Sequence, residues 1–526
     1  MTASTVATPF PLHAELEASR TRLAVAAVVL AVLIGAVLRL WGLSTVGFNS
    51  DEAVYAGQAA ALAGNPTYAQ FFAIFRAHPL LVQFLVSLLF QFGVNDVTPR
   101  LLAVAFGLAA IPLTYALGSL LYSRRVGAIA GLIIAVMPYH VAVSRQILLD
   151  APMATLFLAA VYLLARFTAT GAPRWLYAAS FFAGMAFLAK ETGVIVVGVA
   201  VAFALMTPAV QFSVRRIVAA AVILALAISP YPLSIAVAGA SETARQFLIW
   251  QLLRRPNHSW TFYAEILPGA IGPLVLAFAL LGLAFAIRRG GWQDRLIVAW
   301  LVVPLAFYQV WPVKGYQYLL PLAPCMALLV GRFFDVPWWS RVEGWWRARR
   351  RDGERPNGLG FATAVAVAMV VVSLAVPSVA AIATTTTVGS LAGTGGLPGG
   401  REAGLWIRSH VPEGSTFMTI GPTLSNIIQF YGQRRSLALS VSVNPLHRNP
   451  AYTPIQNPDR AIRRLEFQYL AYDVWSAGRS AHFADALRRY IEKFNGRLVH
   501  EQTATVRDTD GSVHQRVVIQ IYAVRP

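Results

Sequence analysis

Residues 23–41 run from Leu23 through Val25, Leu30 and Leu38 to Trp41 with Arg39 as the only charge. A run of about 20 apolar residues is long enough to cross the ~30 Å hydrocarbon core of a bilayer as a helix. Similar runs recur along the chain, punctuated by short arginine clusters. Inside lipid such segments must satisfy their own backbone hydrogen bonds, so the sequence is restricted to a helical bundle over most of its length. Composition agrees: 57% of the 526 residues are hydrophobic, 13% are charged, and the mean hydropathy is +0.57. A soluble core cannot absorb that much apolar surface, and the expected class is a mainly α, polytopic membrane protein. The net charge of +19 lies in clusters between apolar runs, which points to membrane topology and not to a nucleic-acid partner. The single cysteine, Cys325, excludes an internal disulfide. No small-residue cleavage site follows the first run, which is read as a retained helix and not a signal peptide.

Arg20 and Arg22 precede the first run, placing its N-terminal end in the cytoplasm and Asp51 outside. Further basic groups stand at Arg124-Arg125, Arg166 and Arg174, Arg215-Arg216, Arg288-Arg289 with Arg295, and from Arg341 to Arg355. If each marks a cytoplasmic turn, spans fall at 23–41, 99–122, 126–145, 151–168, 175–189, 192–210, 216–237, 269–287, 296–312, 316–334 and 360–383, about eleven in all. Residues 79–94 are too short for a crossing and read as a re-entrant or interfacial helix. The organisation is then a cytoplasmic tail (1–22), a transmembrane domain (23–384) with a first outer loop at 44–98, a Gly/Thr-rich linker (385–400), and an extracytoplasmic α/β domain (401–526). In that last domain, helical patterns around Leu405–Ile407 and over 482–494, a strand at Thr416–Ile420 and a closing strand at Val517–Tyr522 are expected. The protein is expected in the plasma membrane, with these outer segments beyond it.

Asp51-Glu52 sits just past the first span, where carboxylates are costly to keep and well placed for interfacial chemistry. Asp150, followed by Ala151-Pro152, is expected on the same side; helix capping also accounts for an Asp there. Lys190-Glu191 lies between apolar spans, as a local ion pair or as a lysine facing phosphate. Arg254-Arg255 and Lys314 oppose the positive-inside trend, which suggests an anionic partner; snorkelling is the plain alternative for Lys314. His78-Pro79 opens the interfacial helix. Asn257-His258-Ser259 matches a glycosylation sequon and carries no weight.

In order along the chain, Asp51-Glu52-Ala53-Val54-Tyr55, Ala77-His78-Pro79-Leu80, Pro99-Arg100-Leu101, Ser144-Arg145 to Asp150, Leu188-Ala189-Lys190 and Lys314 to Tyr318-Leu319-Leu320-Pro321 resemble the signposts of GT-C glycosyltransferases. The likeness is to the branch of protein O-mannosyltransferases and bacterial aminoarabinose transferases, over residues 20 to about 335. Two departures stand out: Ala53-Val54-Tyr55 lacks the arginine that follows the acidic pair in aminoarabinose transferases, and Ala77-His78 replaces their acidic residue and lysine. The resemblance implies transfer of a sugar from a polyprenyl-phosphate donor to an acceptor hydroxyl on the outer face, with inversion. The acceptor is a protein, lipid or cell-envelope glycan. Such chemistry needs a carboxylate for the hydroxyl proton and fixed cations for the lipid phosphate. Asp51 is the candidate base and Asp150 a second carboxylate that orients acceptor or sugar. Lys190, with Arg254 or Arg255, is the candidate phosphate holder and Lys314 a further one. Glu52, His78 and Arg100 organise the loop, and Tyr55, Arg145 and Tyr318 complete the substrate-binding set. A divalent cation (Mg, Mn or Zn) would draw on Asp51, Glu52 and His78. A transporter or lipid flippase without transferase activity is the alternative; such carriers commonly carry internal repeats, and none is visible. A non-catalytic scaffold binding through its outer domain is the third reading.

Overall fold

The computed structural model describes residues 11–74, 78–210, 212–335, 358–383, 397–507 and 512–525. Ala77, the basic stretch Arg341 to Arg355, most of the linker (385–396) and the first part of the N-terminal tail lie outside the described residues. Helices dominate up to Ala383, and a five-stranded sheet with flanking helices follows. Among the described residues, six helices are long and apolar enough to cross a membrane: Arg22–Leu40, Thr98–Leu121, Asp150–Thr170, Val214–Val237, Tyr316–Phe334 and Thr363–Ala383. Phe262–Ile271 and Pro273–Arg289 add a seventh if their 106° bend lies within one span. The remaining runs read as spans fold into shorter or less apolar helices. Residues 126–145, for instance, divide into Arg124–Val136 and Pro138–Val143, because Pro138 cannot continue the first helix. Leu81–Leu89 is followed by a 3-10 turn, Phe90–Phe92, and the two together are too short to cross.

Helix hairpins organise the bundle. Thr98–Leu121 packs on Arg124–Val136 so closely that a Cβ on Gly118 would lie 2.7 Å from Gly127 Cα. Asp150–Thr170 and Pro173–Ala189 are joined through Gly171, whose φ of 66° suits a left-handed helix cap. That hairpin returns the end of the second helix to the start of the first, and so brings Lys190 to Asp150. Tyr316–Phe334 is 83% buried over its apolar window and Asp150–Thr170 is 61% buried, so they form the interior. Val214–Val237 is only 6% buried and presents Val218, Val222 and Leu226 outward, as a helix facing lipid does.

In the C-terminal domain β1 (Thr416–Thr419) pairs in parallel with β2 (Arg435–Ala438) and β3 (Tyr469–Asp473). β4 (Arg497–Arg507) and β5 (Val513–Ala523) complete the order β2-β1-β3-β5-β4, with β5 antiparallel to both β3 and β4. Phe417, Leu424, Ile519 and Ile521 pack one face with Gly400–His410, and Met418, Leu470 and Leu487 pack the other with Ala481–Lys493. The domain is tied to the first loop. Tyr431 Oη accepts from Phe48 N at 2.9 Å and donates to Asp96 at 3.1 Å, while Arg401 pairs with Asp96 at 3.0 Å.

Candidate active site

Asn49 starts the helix Ser50–Leu62 with a capping box. Its Oδ1 accepts from Glu52 N at 2.9 Å and its N–H donates to Glu52 Oε2 at 3.1 Å. Arg100 then grips Glu52 with two charge-assisted bonds of 2.8 Å, and Ile147 N donates to the same carboxylate at 3.2 Å. Arg100 also binds the carbonyls of Leu43, Val46 and Gly47. With Glu52 turned inward, the preceding residue on the helix faces another way. Asp51 is exposed on the wall of a cavity of about 800 Å³ between the helical bundle and the C-terminal domain.

Asp150, Lys190, His78, Tyr55, Arg254 and Tyr318 line the same cavity. Asp150 is the first residue of its helix but makes no capping bond, so capping does not account for it. Its Oδ1 accepts from Lys190 Nζ at 2.7 Å, and both side chains are nearly inaccessible. The Lys190 ammonium also lies 4.6 Å from the Tyr318 ring centroid. A local Lys190–Glu191 ion pair is therefore not what forms. The helix ends at Lys190, whose extended backbone turns the two side chains to different partners. Glu191 Oε2 instead meets His78 Nδ1 at 2.7 Å, and the His78 ring stands edge-on to Tyr55 and Phe247. Arg254 lies 4.4 Å over the Trp250 ring.

Although its side chain opens onto the cavity, the surrounding wall desolvates the Asp51 carboxyl and pushes it above its usual range; His78 and Lys190 pull it back, and the neighbouring Asp150 and Glu52 charges raise it. The Tyr55 phenol is pushed well up, by burial first and then by Asp51. Burial lowers the Arg254 guanidinium, against the pull of Tyr318 and Asp51.

Five candidates lie outside the lining of this cavity. Glu52 and Arg100 are spent on each other and on the loop. Arg145 caps the first helix through the carbonyls of Leu38, Arg39 and Gly42. Arg255 is exposed. Lys314 is set over Trp260 at 5.3 Å, its backbone clasped at both polar groups by the Asn257 side chain. For a cation, the set Asp51, Glu52 and His78 does not fit, because Glu52 is held by Arg100 and His78 by Glu191. Among the described residues no group of three or more His, Cys, Asp or Glu side chains could hold a metal ion.

Two features have roles that a reading along the chain does not show. The C-terminal domain supplies a roof to the cavity through Ser440, His447, Arg448, Tyr452 and Arg479, and no local signal in those segments shows it. Arg39, conspicuous in its apolar run, is fully buried and binds the carbonyls of Ile134 and Ala135, Ser144 Oγ and His140 Nδ1. It thereby closes the open carbonyl end of the helix that breaks at Pro138.

Residues 77–233 match the family model for dolichyl-phosphate-mannose-protein mannosyltransferases. No curated protein sequence matches the chain. Among solved structures, ArnT from Cupriavidus metallidurans bound to undecaprenyl phosphate aligns with a TM-score of 0.65 at 16% identity, over 96% of this chain and 98% of that one. Its apo state aligns at 0.64 and 15%, with the same coverage. The Archaeoglobus fulgidus oligosaccharyltransferase aligns at 0.58 and 14% identity, covering 94% of this chain and 74% of its own. By fold, then, the chain resembles the GT-C glycosyltransferases, and residues 77–233 match the dolichyl-phosphate-mannose-protein mannosyltransferase family model.

Proposed function

We propose that the protein transfers a sugar from a polyprenyl-phosphate donor to an acceptor hydroxyl, on the extracytoplasmic face of the plasma membrane and with inversion. The observation that carries this reading is the convergence of a carboxylate, Asp51, and two cations, Lys190 and Arg254, on one cavity at one end of the helical bundle. The ArnT relative bound to undecaprenyl phosphate and the oligosaccharyltransferase tethered to an acceptor peptide support a lipid-phosphate donor and a separate acceptor.

The acceptor oxygen attacks the anomeric carbon, its proton passes to Asp51, and the bond from that carbon to the phosphate oxygen breaks. The electron pair leaves with the polyprenyl phosphate. One displacement inverts the centre. A Lys190 ammonium has three donors; Asp150 takes one, and the others serve the phosphate as negative charge develops. Asp150 is thus a positioning residue for Lys190, in place of the acceptor-orienting role expected from sequence. No step passes through a metal ion. Eleven crossings, counting the shorter helices as part of the bundle, complete this reading.

Mass spectrometry of polyprenyl-phosphate sugars in cells lacking the protein tests it. The donor should accumulate, and the purified protein should cleave that species. No accumulation together with no cleavage would sink the proposal.

A further inference from the structure

A second cavity, about 660 Å³ in volume, lies between the first loop and the C-terminal domain. This size falls in the range of small-molecule sites, roughly 300–1,000 Å³. Pro422, Val441 and Tyr452 line both this cavity and the one containing Asp51, so the two share a wall. The lining is unlike the apolar surround that a lipid tail requires. It consists largely of amides and hydroxyls, with Gln70, Asn426, Gln429, Gln433, Ser425 and Thr453 prominent and Phe71 and Tyr452 as aromatic surfaces.

Fixed charge is sparse and balanced. Glu413 and Arg435 are both exposed, and Arg434 spends its guanidinium on the carbonyls of Arg408, Val411, Pro412, Gly432 and Gln433. A charged ligand therefore finds no dominant counter-ion. β2 borders the cavity as an edge strand and would suit an added peptide strand. Its Ser436 carbonyl, however, already accepts from Ser425 Oγ and Gln429 Nε2, both at 2.8 Å. The protein's own side chains cover that part of the edge.

The shared wall is coupled to the reacting end. Asn426 Nδ2 donates to Tyr452 Oη at 3.1 Å and to Ser50 Oγ at 2.9 Å, and Ser50 immediately precedes Asp51 on the same helix. One buried amide thus joins the wall between the cavities to the helix that carries the base.

We propose that this polar cavity is the acceptor site and that its ligand is an uncharged saccharide chain, whose terminal hydroxyl passes Tyr452 to reach Asp51. The proposal rests on the transferase reading above. Amides and hydroxyls match sugar hydroxyls in both donor and acceptor sense, and aromatic faces match the apolar faces of pyranose and furanose rings.

The test uses the full chain in detergent micelles and neutral trisaccharides of mannose, glucose, galactose and arabinose, with binding read by saturation-transfer NMR. At least one should bind. Gln70→Trp and Thr453→Trp, both at exposed rim positions, should each weaken that binding tenfold or more and raise its KM as acceptor with little change in kcat. Circular dichroism and thermal unfolding of both variants report that they are folded. The saccharide assignment is overturned if no trisaccharide binds, if binding ignores both tryptophans, or if a Ser/Thr-rich nonapeptide binds in their place and is lost in the variants. Loss of donor cleavage in the unaltered protein would instead strike the transferase reading, because the NMR measurement does not depend on turnover.

Discussion

Asn49, Glu52 and Arg100 form a closed hydrogen-bonded unit that spends Glu52 on structure and leaves Asp51 facing the cavity. If Asp51 is the base, Asp51→Asn should retain donor binding and lose about 10²–10⁴-fold in turnover. Because desolvation by the surrounding cavity wall raises its pKa, the base stays protonated to a higher pH than an ordinary aspartate. The value of kcat/KM should then climb with pH through a limb above the usual carboxylate range. Asp51→Asn should remove that limb, and near-normal turnover of the variant would discard the mechanism. Lys190→Ala leaves Asp150 as a buried carboxylate without its partner, which costs about 3–5 kcal/mol of stability. The Asp150→Asn/Lys190→Ala pair should recover much of that stability and none of the donor affinity. Thermal unfolding and donor-lipid binding, measured together, separate the two effects; recovered affinity in the double variant would show that Lys190 does not hold the phosphate.

Among the elements, the strand–helix junction at Asp473 carries a pH signature of its own. Asp473 ends β3 and caps the helix Val474–Arg479, with its Oδ1 accepting from Ser476 N at 2.6 Å. Burial raises its pKa to about 6 from 3.8, and the hydrogen bonds at Ser476 only partly oppose this. The folded state therefore binds this proton more tightly than the unfolded chain does. Its stabilising contribution is complete below about pH 4 and is lost as pH rises through about 6, a change of roughly 3 kcal/mol at most. Asp473→Asn should flatten that slope in urea unfolding of the C-terminal domain signal between pH 4 and 7; an unchanged slope would assign the ionisation elsewhere. The elements themselves were unevenly legible. Gly400–His410 and Ala481–Lys493 show through their helical periodicity, and β1 and β5 through their apolar residues. β2, with only Arg435–Ala438, is too short to show a period, and the Tyr469–Tyr472 part of β3 shows no polar alternation, as a central strand buried on both faces tends not to.

The molecule as a whole depends on contacts between its two halves. Arg401, Asp96, Tyr431 and Phe48 fasten the C-terminal domain to the first loop, and the roof of the cavity comes with it. Both halves of the site must then lie on one side of the membrane. A reporter active only outside the cytoplasm should work when fused after Pro526 and stay silent when fused at Arg351. Activity at Arg351 would reverse the proposed orientation. Disconnecting the halves is a separate test: Arg401→Ala with Tyr431→Phe should make the C-terminal domain easier to release by protease and slow transfer, while the helical bundle remains intact by circular dichroism. Unchanged protease sensitivity would show that these contacts do not hold the domain.

Apolar length and arginine spacing, both local properties, are enough to specify a helical membrane bundle, because lipid admits few backbone solutions; the α/β tail is marked instead by its own local helix and strand patterns. The acidic pair at Asp51-Glu52 and the lone Arg39 are likewise visible to anyone reading the chain. Which member of the pair faces the cavity, and that Lys190 meets Asp150 while Glu191 meets His78, follow only from tertiary structure. Those pairings join residues 40 and 113 positions apart, and they are selected by where a helix hairpin returns and where a helix breaks. The two cavities belong to the same category: each is a gap between surfaces from distant parts of the chain, so their shared wall at Tyr452 exists only once the C-terminal domain is seated on the first loop.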